Sequence, residues 1–220
     1  MTTRLLLLKD HLSTVKLFIL SALFACILSN PVLAGFDEGV AAIQAGDLEL
    51  AAKEFRTAAE AGNFEAQFNV GLMYERGIGV SKDEQESLVW YRKSAEQGYS
   101  NAQFNLGVMY ENGRGTAVDF YQAHQWYRKA AVQGDGLAVG NLGMLYVRGQ
   151  GVKQNKVAGL ALLLASFELN SSPENNARQN ISSTRGLSTA MIQAAQALAA
   201  EMTSANDLLI PLNQYLKNPN

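Results

Sequence analysis

The sequence predicts an all-α fold, a solenoid of stacked antiparallel helix pairs with a C-terminal capping helix. Three observations predict it. The segment AQFNVGLMYERGIGV (66–80) returns 36 residues later as AQFNLGVMYENGRGT (102–116), and again, weakened, as AVGNLGMLYVRGQGV (138–152). Behind the first two copies stand WYRKSAEQG (90–98) and WYRKAAVQG (126–134), and aligning 63–98 with 99–134 gives 18 identities in 36 positions. A period of this size marks an array whose units each contact only their neighbours and together present an extended surface. Downstream, an apolar helix and a separate apolar stripe read as the end of such an array.

The N-terminus comes first in the chain and carries an address. Arg4, Lys9 and Lys16 precede an apolar run over 17–28, followed by Asn30-Pro31-Val32-Leu33-Ala34. Valine and alanine at positions −3 and −1 suit signal-peptidase cleavage before Gly35, so 1–34 is read as a signal peptide and the protein as periplasmic or secreted. The run is shorter than the ~20 residues a bilayer requires, and Pro31 interrupts it. A lipoprotein reading through Cys26 is weaker, because Phe24 stands where a small residue is usual. Without Arg4, Lys9, Lys16 and Asp10 the remaining chain holds 15 basic and 19 acidic residues, a net charge of −4. No basic patch invites nucleic acid. Cys26 is the sole cysteine, so the processed chain holds itself together by packing alone, and about seven stacked helices are expected to do this.

Each repeat reads as two helices. Ala66, Val70, Gly71 and Tyr74 share one face of a helix over 66–76, which Gly77 and Gly79 end. Asp83 caps a second helix, whose packing face is Leu88, Trp90, Tyr91, Ser94 and Ala95 and whose stop is Gly98. Gly71 and Gly107 lie in mid-helix, where glycine costs about 1 kcal/mol relative to alanine, so close packing is expected there. Tyr74, Tyr110 and Tyr146 are expected between adjacent repeats, burying roughly 2 kcal/mol of side chain each.

The pattern A-x-x-x-[LV]-G-x-[ML]-Y-x-x-G-x-G followed by W-Y-R-K-[AS]-A-x-Q-G resembles the Sel-1-like repeat family, a 36-residue variant of tetratricopeptide helix pairs. The third copy keeps the first-helix motif but has LLLASF (162–167) in place of WYRKAA. Upstream, 40–63 is similar to a shorter tetratricopeptide unit turning at Gly46-Asp47, with Phe55, Ala59 and Gly62 standing 36 residues before Tyr91, Ala95 and Gly98. The units expected are a half-repeat or cap at 35–62, repeats at 63–98, 99–134 and 135–170 (the last degenerate), and a helical cap and tail at 171–220. The resemblance implies a right-handed superhelix and a protein-binding role.

The array's end is read from its apolar pattern. Residues 157–167 (VAGLALLLASF) are apolar on nearly every side and need cover on more than one face. Leu187, Met191, Ala195, Leu198 and Met202 form a helical stripe that can supply it. Ser172-Pro173-Glu174 reads as a helix start, and Leu208, Leu209, Ile210 and Leu212 around Pro211 as a short packed tail.

Catalytic and metal chemistry find few residues. After processing one histidine remains, His124, in the register of Leu88 and Leu160, which makes it a partly buried helix residue rather than a general base. No cysteine–histidine ligand set exists, so no metal or cofactor is expected. Some cysteine-rich relatives are linked to β-lactams, yet S-x-x-K occurs only at 13–16, with neither K-T-G nor S-D-N. The Gly77-x-Gly79 turns follow no strand and are not phosphate loops.

By analogy with tetratricopeptide arrays, first helices line a concave groove. The candidate binding residues are Phe68, Asn69, Leu72 and Arg76, then Asn101, Phe104, Asn105, Val108 and Asn112, then Asn141, Met144 and Arg148, flanked by Glu65, Leu137 and Gly140. The asparagines at 69, 105 and 141 could pair with a peptide backbone or with the neighbouring repeat. The function expected is a monomeric scaffold or regulator for a protein or peptide partner, not an enzyme. The competing class is a cell-envelope hydrolase or a β-lactam- or peptidoglycan-interacting protein, for which converging carboxylates in the groove would speak.

Overall fold

The computed structural model describes residues 31–218; the basic residues and apolar run of the expected signal peptide, with Cys26, lie outside them. Eleven helices and no strand occur among the described residues: α1 (Pro31–Ala45), α2 (Leu48–Glu60), α3 (Phe64–Arg76), α4 (Glu84–Glu96), α5 (Ser100–Asn112), α6 (Phe120–Val132), α7 (Gly136–Arg148), α8 (Lys156–Leu169), α9 (Ala177–Ser183), α10 (Thr189–Ser204) and α11 (Leu209–Lys217). Eight of them, not seven, build the array as four consecutive pairs, each helix packing on the one before and the one after.

Repeat geometry follows from caps and glycines. Asn63 accepts from the Ala66 amide, so α3 begins at Phe64, two residues earlier than the apolar spacing suggested. Asp83, Asp119 and Asn155 cap the second helices α4, α6 and α8 in the same way. Gly77, Gly113 and Gly149 terminate the first helices in the left-handed conformation. Gly79 and Gly115 serve a different purpose from a stop. A Cβ there would collide with the backbone of the preceding second helix, at Leu48 and Glu84. The mid-helix glycines are also packing residues: a Cβ on Gly71 or Gly107 would sit 2.7 or 2.6 Å from the ring of Tyr91 or Tyr127.

Polar bonds repeat with the same period. Gln67 and Gln103 donate to the Ala59 and Ala95 carbonyls, each at 3.1 Å. Gln97 and Gln133 donate to Gln67 and Gln103, each at 2.8 Å. Ser94 and Ser166 donate to the carbonyls of Phe64 and Gly136, both at 2.7 Å. These bonds satisfy buried amides and hydroxyls at the repeat boundaries.

The end of the array departs from the sequence reading in three places. No helix starts at Ser172-Pro173-Glu174; the chain turns there, and α9 begins at Ala177. Asn175 causes this by donating to the carbonyls of Asn170 and Ser166 and accepting from the Ala177 amide, which folds the turn back on the end of α8. The expected tail is a nine-residue helix, α11, with Pro211 in its first turn where no amide donor is needed. Ile210 is exposed, while Leu209 and Leu212 are buried. The apolar α8 is covered on several sides, by α7, α9, α10 and α11.

Candidate functional site: the first-helix face and its terminal cleft

All twelve candidate residues lie on the first helices α3, α5 and α7. Their burial sorts them into two kinds. Phe68, Asn69, Leu72, Phe104, Asn105, Val108, Asn141 and Met144 are partly buried, whereas Arg76, Asn101, Asn112 and Arg148 are exposed. Phe68 packs against Tyr91 and Tyr99, with centroids 5.5 and 5.3 Å away, and Phe104 lies 6.0 Å from Tyr127. The helix pair thus holds each phenylalanine on one side and leaves the other side open. Asn101 donates to the Tyr99 hydroxyl at 3.1 Å, and Asn112 to its own helix at the Val108 carbonyl.

The three asparagines divide. Asn141 donates to the Tyr127 hydroxyl at 3.1 Å, and Asn105 bonds Tyr91 likewise. In both cases the tyrosine belongs to the preceding repeat. The register residue for Asn69 is Phe55, which has no hydroxyl, and Asn69 has no side-chain hydrogen bond in the structure. The amide oxygens of Asn105 and Asn141 keep acceptor capacity.

Two ladders that the sequence reading missed tie the helices together. Tyr91 donates to Glu75 at 2.6 Å and Tyr127 to Glu111 at 2.7 Å. Burial first, and these carboxylates second, push both phenols well above the usual range. Arg114, from the next repeat's turn, pairs with Glu75. A second ladder joins Arg56 to Tyr74, Arg92 to Tyr110 and Arg128 to Tyr146. The signal was present: arginine recurs at 56, 92 and 128 in the tyrosine's own period. His124 is buried beside Tyr146, its Nε2 3.4 Å from the hydroxyl. Desolvation, and then the Arg128 charge, lower its pKa to about 4.

At the end of the face the turn and α9 fold over it. Phe104, Leu137, Gly140 and Asn141 meet Glu174, Asn175, Asn176, Gln179 and Asn180 around a cleft of about 410 Å³. Four expected groove positions are therefore brought together, and the α9 segment adds an amide wall that first-helix spacing could not foresee. Glu174 is the only carboxylate among the described residues of the lining. Among the described residues no group of three or more acidic, histidine or cysteine side chains could hold a metal. Nor is any described helix long and apolar enough to cross a membrane.

Helix pairs bonded in a 36-residue period define a tetratricopeptide-like solenoid. The chain contains three Sel1 repeats: the Sel1 repeat model matches 64–99, 100–135 and 137–171. Similar solved structures include the Sel1 repeat protein from Oxalobacter formigenes, 27% identical with a TM-score of 0.64, covering 95% of this chain and 85% of that one. Another is c5321, a protective antigen present in uropathogenic Escherichia coli strains and displaying an SLR fold, at 28% identity and a TM-score of 0.59. There the match covers 84% of this chain and 45% of the other. Comparison with curated proteins returns no match.

Proposed function

We propose that this chain is an exported protein- or peptide-binding module, using the first-helix face of α3, α5 and α7 as its groove. The observation that carries the reading is the terminal cleft. It gathers Phe104, Leu137, Gly140 and Asn141 under an amide-rich wall, so a bound segment meets one open aromatic face and several groups able to pair with peptide N–H and C=O. A single carboxylate in that lining speaks for binding rather than for acid–base hydrolysis, which commonly uses two groups. Export rests on Arg4, Lys9, Lys16, the apolar run and Ala34. Cleavage would leave Gly35, inside α1, as the first residue.

A photo-reactive residue tests the groove. Placed at Val108 in the source cell it is expected to capture a partner, identified by mass spectrometry. Placed at Tyr121, an exposed second-helix position, it is expected to capture none. Capture from Tyr121 alone would move the binding face elsewhere. The intact mass of this protein recovered uncrosslinked from the source cell should correspond to a chain beginning at Gly35.

A further inference from the structure

One register position in the array changes size. Leu88, His124 and Leu160 occupy the same place on α4, α6 and α8, and are 8%, 7% and 2% exposed. On α6 the residue in this place reaches the next repeat's tyrosine: the His124 ring lies edge-on to Tyr146, centroids 5.6 Å apart. On α2 the residue in this place is Ala52. The missing side chain leaves an open niche of about 290 Å³ between α2 and α3, walled by Ala52, Val70, Met73, Tyr74 and Val80. Glu49, Lys53 and Arg56, all exposed, complete its lining. Tyr110 and Tyr146 are buried, but Tyr74 is only partly so.

Two repeats further on, the same face shows what fits over it. Tyr146 and Val152, the counterparts of Tyr74 and Val80, share a cleft with Leu216 of α11. Arg128, the counterpart of Arg56, donates to Asn213 of α11 at 2.8 Å. One helix thus offers an acceptor to the arginine and, three residues later, a leucine beside the tyrosine. Arg56 spends only two of its five guanidinium donors, on Glu60 and Tyr74.

We propose that the α2–α3 niche is a docking site for a helical segment of a partner protein. That segment presents a leucine-sized apolar side chain to Tyr74 and, three residues before it, a carboxamide or carboxylate to Arg56. The apolar side chain enters the space that leucine fills at position 88. The site shares no residue with the first-helix groove, so the two readings stand or fall separately.

The probe is a fluorescent peptide of residues 206–218 of this chain, titrated into the processed protein and followed by anisotropy. Saturable binding is expected. Ala52→Leu, which fills the niche from within, should weaken binding at least tenfold while raising the melting temperature. Leu216→Ala in the peptide should weaken it equally, and this variant leaves the protein untouched should Ala52→Leu fold badly. Absence of saturable binding to millimolar peptide, or affinity unchanged by either substitution, overturns the proposal.

Discussion

Asn69, Asn105 and Asn141 look equivalent in the sequence, yet only two of them have a tyrosine hydroxyl across the repeat boundary. Asn141→Ala should therefore cost about 1 kcal/mol of stability, the net worth of one hydrogen bond, with the Tyr127 hydroxyl left one partner short. Asn69→Ala should fall within about 0.5 kcal/mol of the parent, as for a surface change, while weakening capture of a groove partner. Urea midpoints on both variants distinguish them. His124 gives a second expectation. Its folded pKa of about 4 lies below the unfolded value near 6.5, so below pH 6.5 the unfolded chain takes up a proton that the folded one refuses. Its contribution is thus intact above pH 6.5, declines as pH falls, and is exhausted near pH 4, at a total loss of at most about 3 kcal/mol. His124→Leu, the residue type found at 88 and 160, should flatten this part of the profile when unfolding free energy is measured between pH 7.5 and 4.

Among the elements, α8 depends most on its neighbours. Leu160, Leu162 and Leu163 are all buried, and α10 and α11 are among the helices that bury them. Ala195, Leu198, Ala199 and Met202 of α10 face inward, while Leu209 and Leu212 of α11 are sealed against the same core. Removing 187–220 should uncover this apolar surface and drive association, seen as higher-order species in light scattering and a much lower melting temperature. Removing only 206–220 should destabilise less, since α10 still covers α8. A truncated protein that stays monomeric with an unchanged melting temperature would show that these helices do not cap the array. Helix boundaries were largely legible because Asp83 and the paired glycines act locally. The α9 start was not, since Asn175 sets it through bonds to residues five and nine positions away.

On the scale of the whole molecule, most buried apolar residues among those described fall into two clusters that meet within α4. One runs from Ala42 to Trp90 and is rich in alanine; the other runs from Leu88 to Leu212 and contains most of the leucines. In a linear array each unit is stabilised mainly by its neighbours, and among the described residues the first pair has a neighbour on one side only. Native-state hydrogen exchange should show α1–α3 opening at lower free energy than α6–α8. Equal protection throughout would mean that the array unfolds as one unit. The turn joining α1 to α2 is only two residues long, against seven between α3 and α4. Gly39, rather than the in-register Gly35, accordingly lies against the aromatic ring of Phe55.

The sequence by itself determined the all-α class, the 36-residue period, the caps, the glycine contacts and the need to cover α8. Each of these is encoded by residue type at a fixed spacing, and spacing survives translation into a helix. Tertiary structure alone decided which asparagines are spent between repeats and where Arg114 finds its carboxylate. It also decided that 174–180 closes the first-helix face and that Ala52 leaves a niche. Those outcomes depend on which side chain stands across an interface, and an interface pairs residues that periodicity places on separate helices without saying which atoms meet.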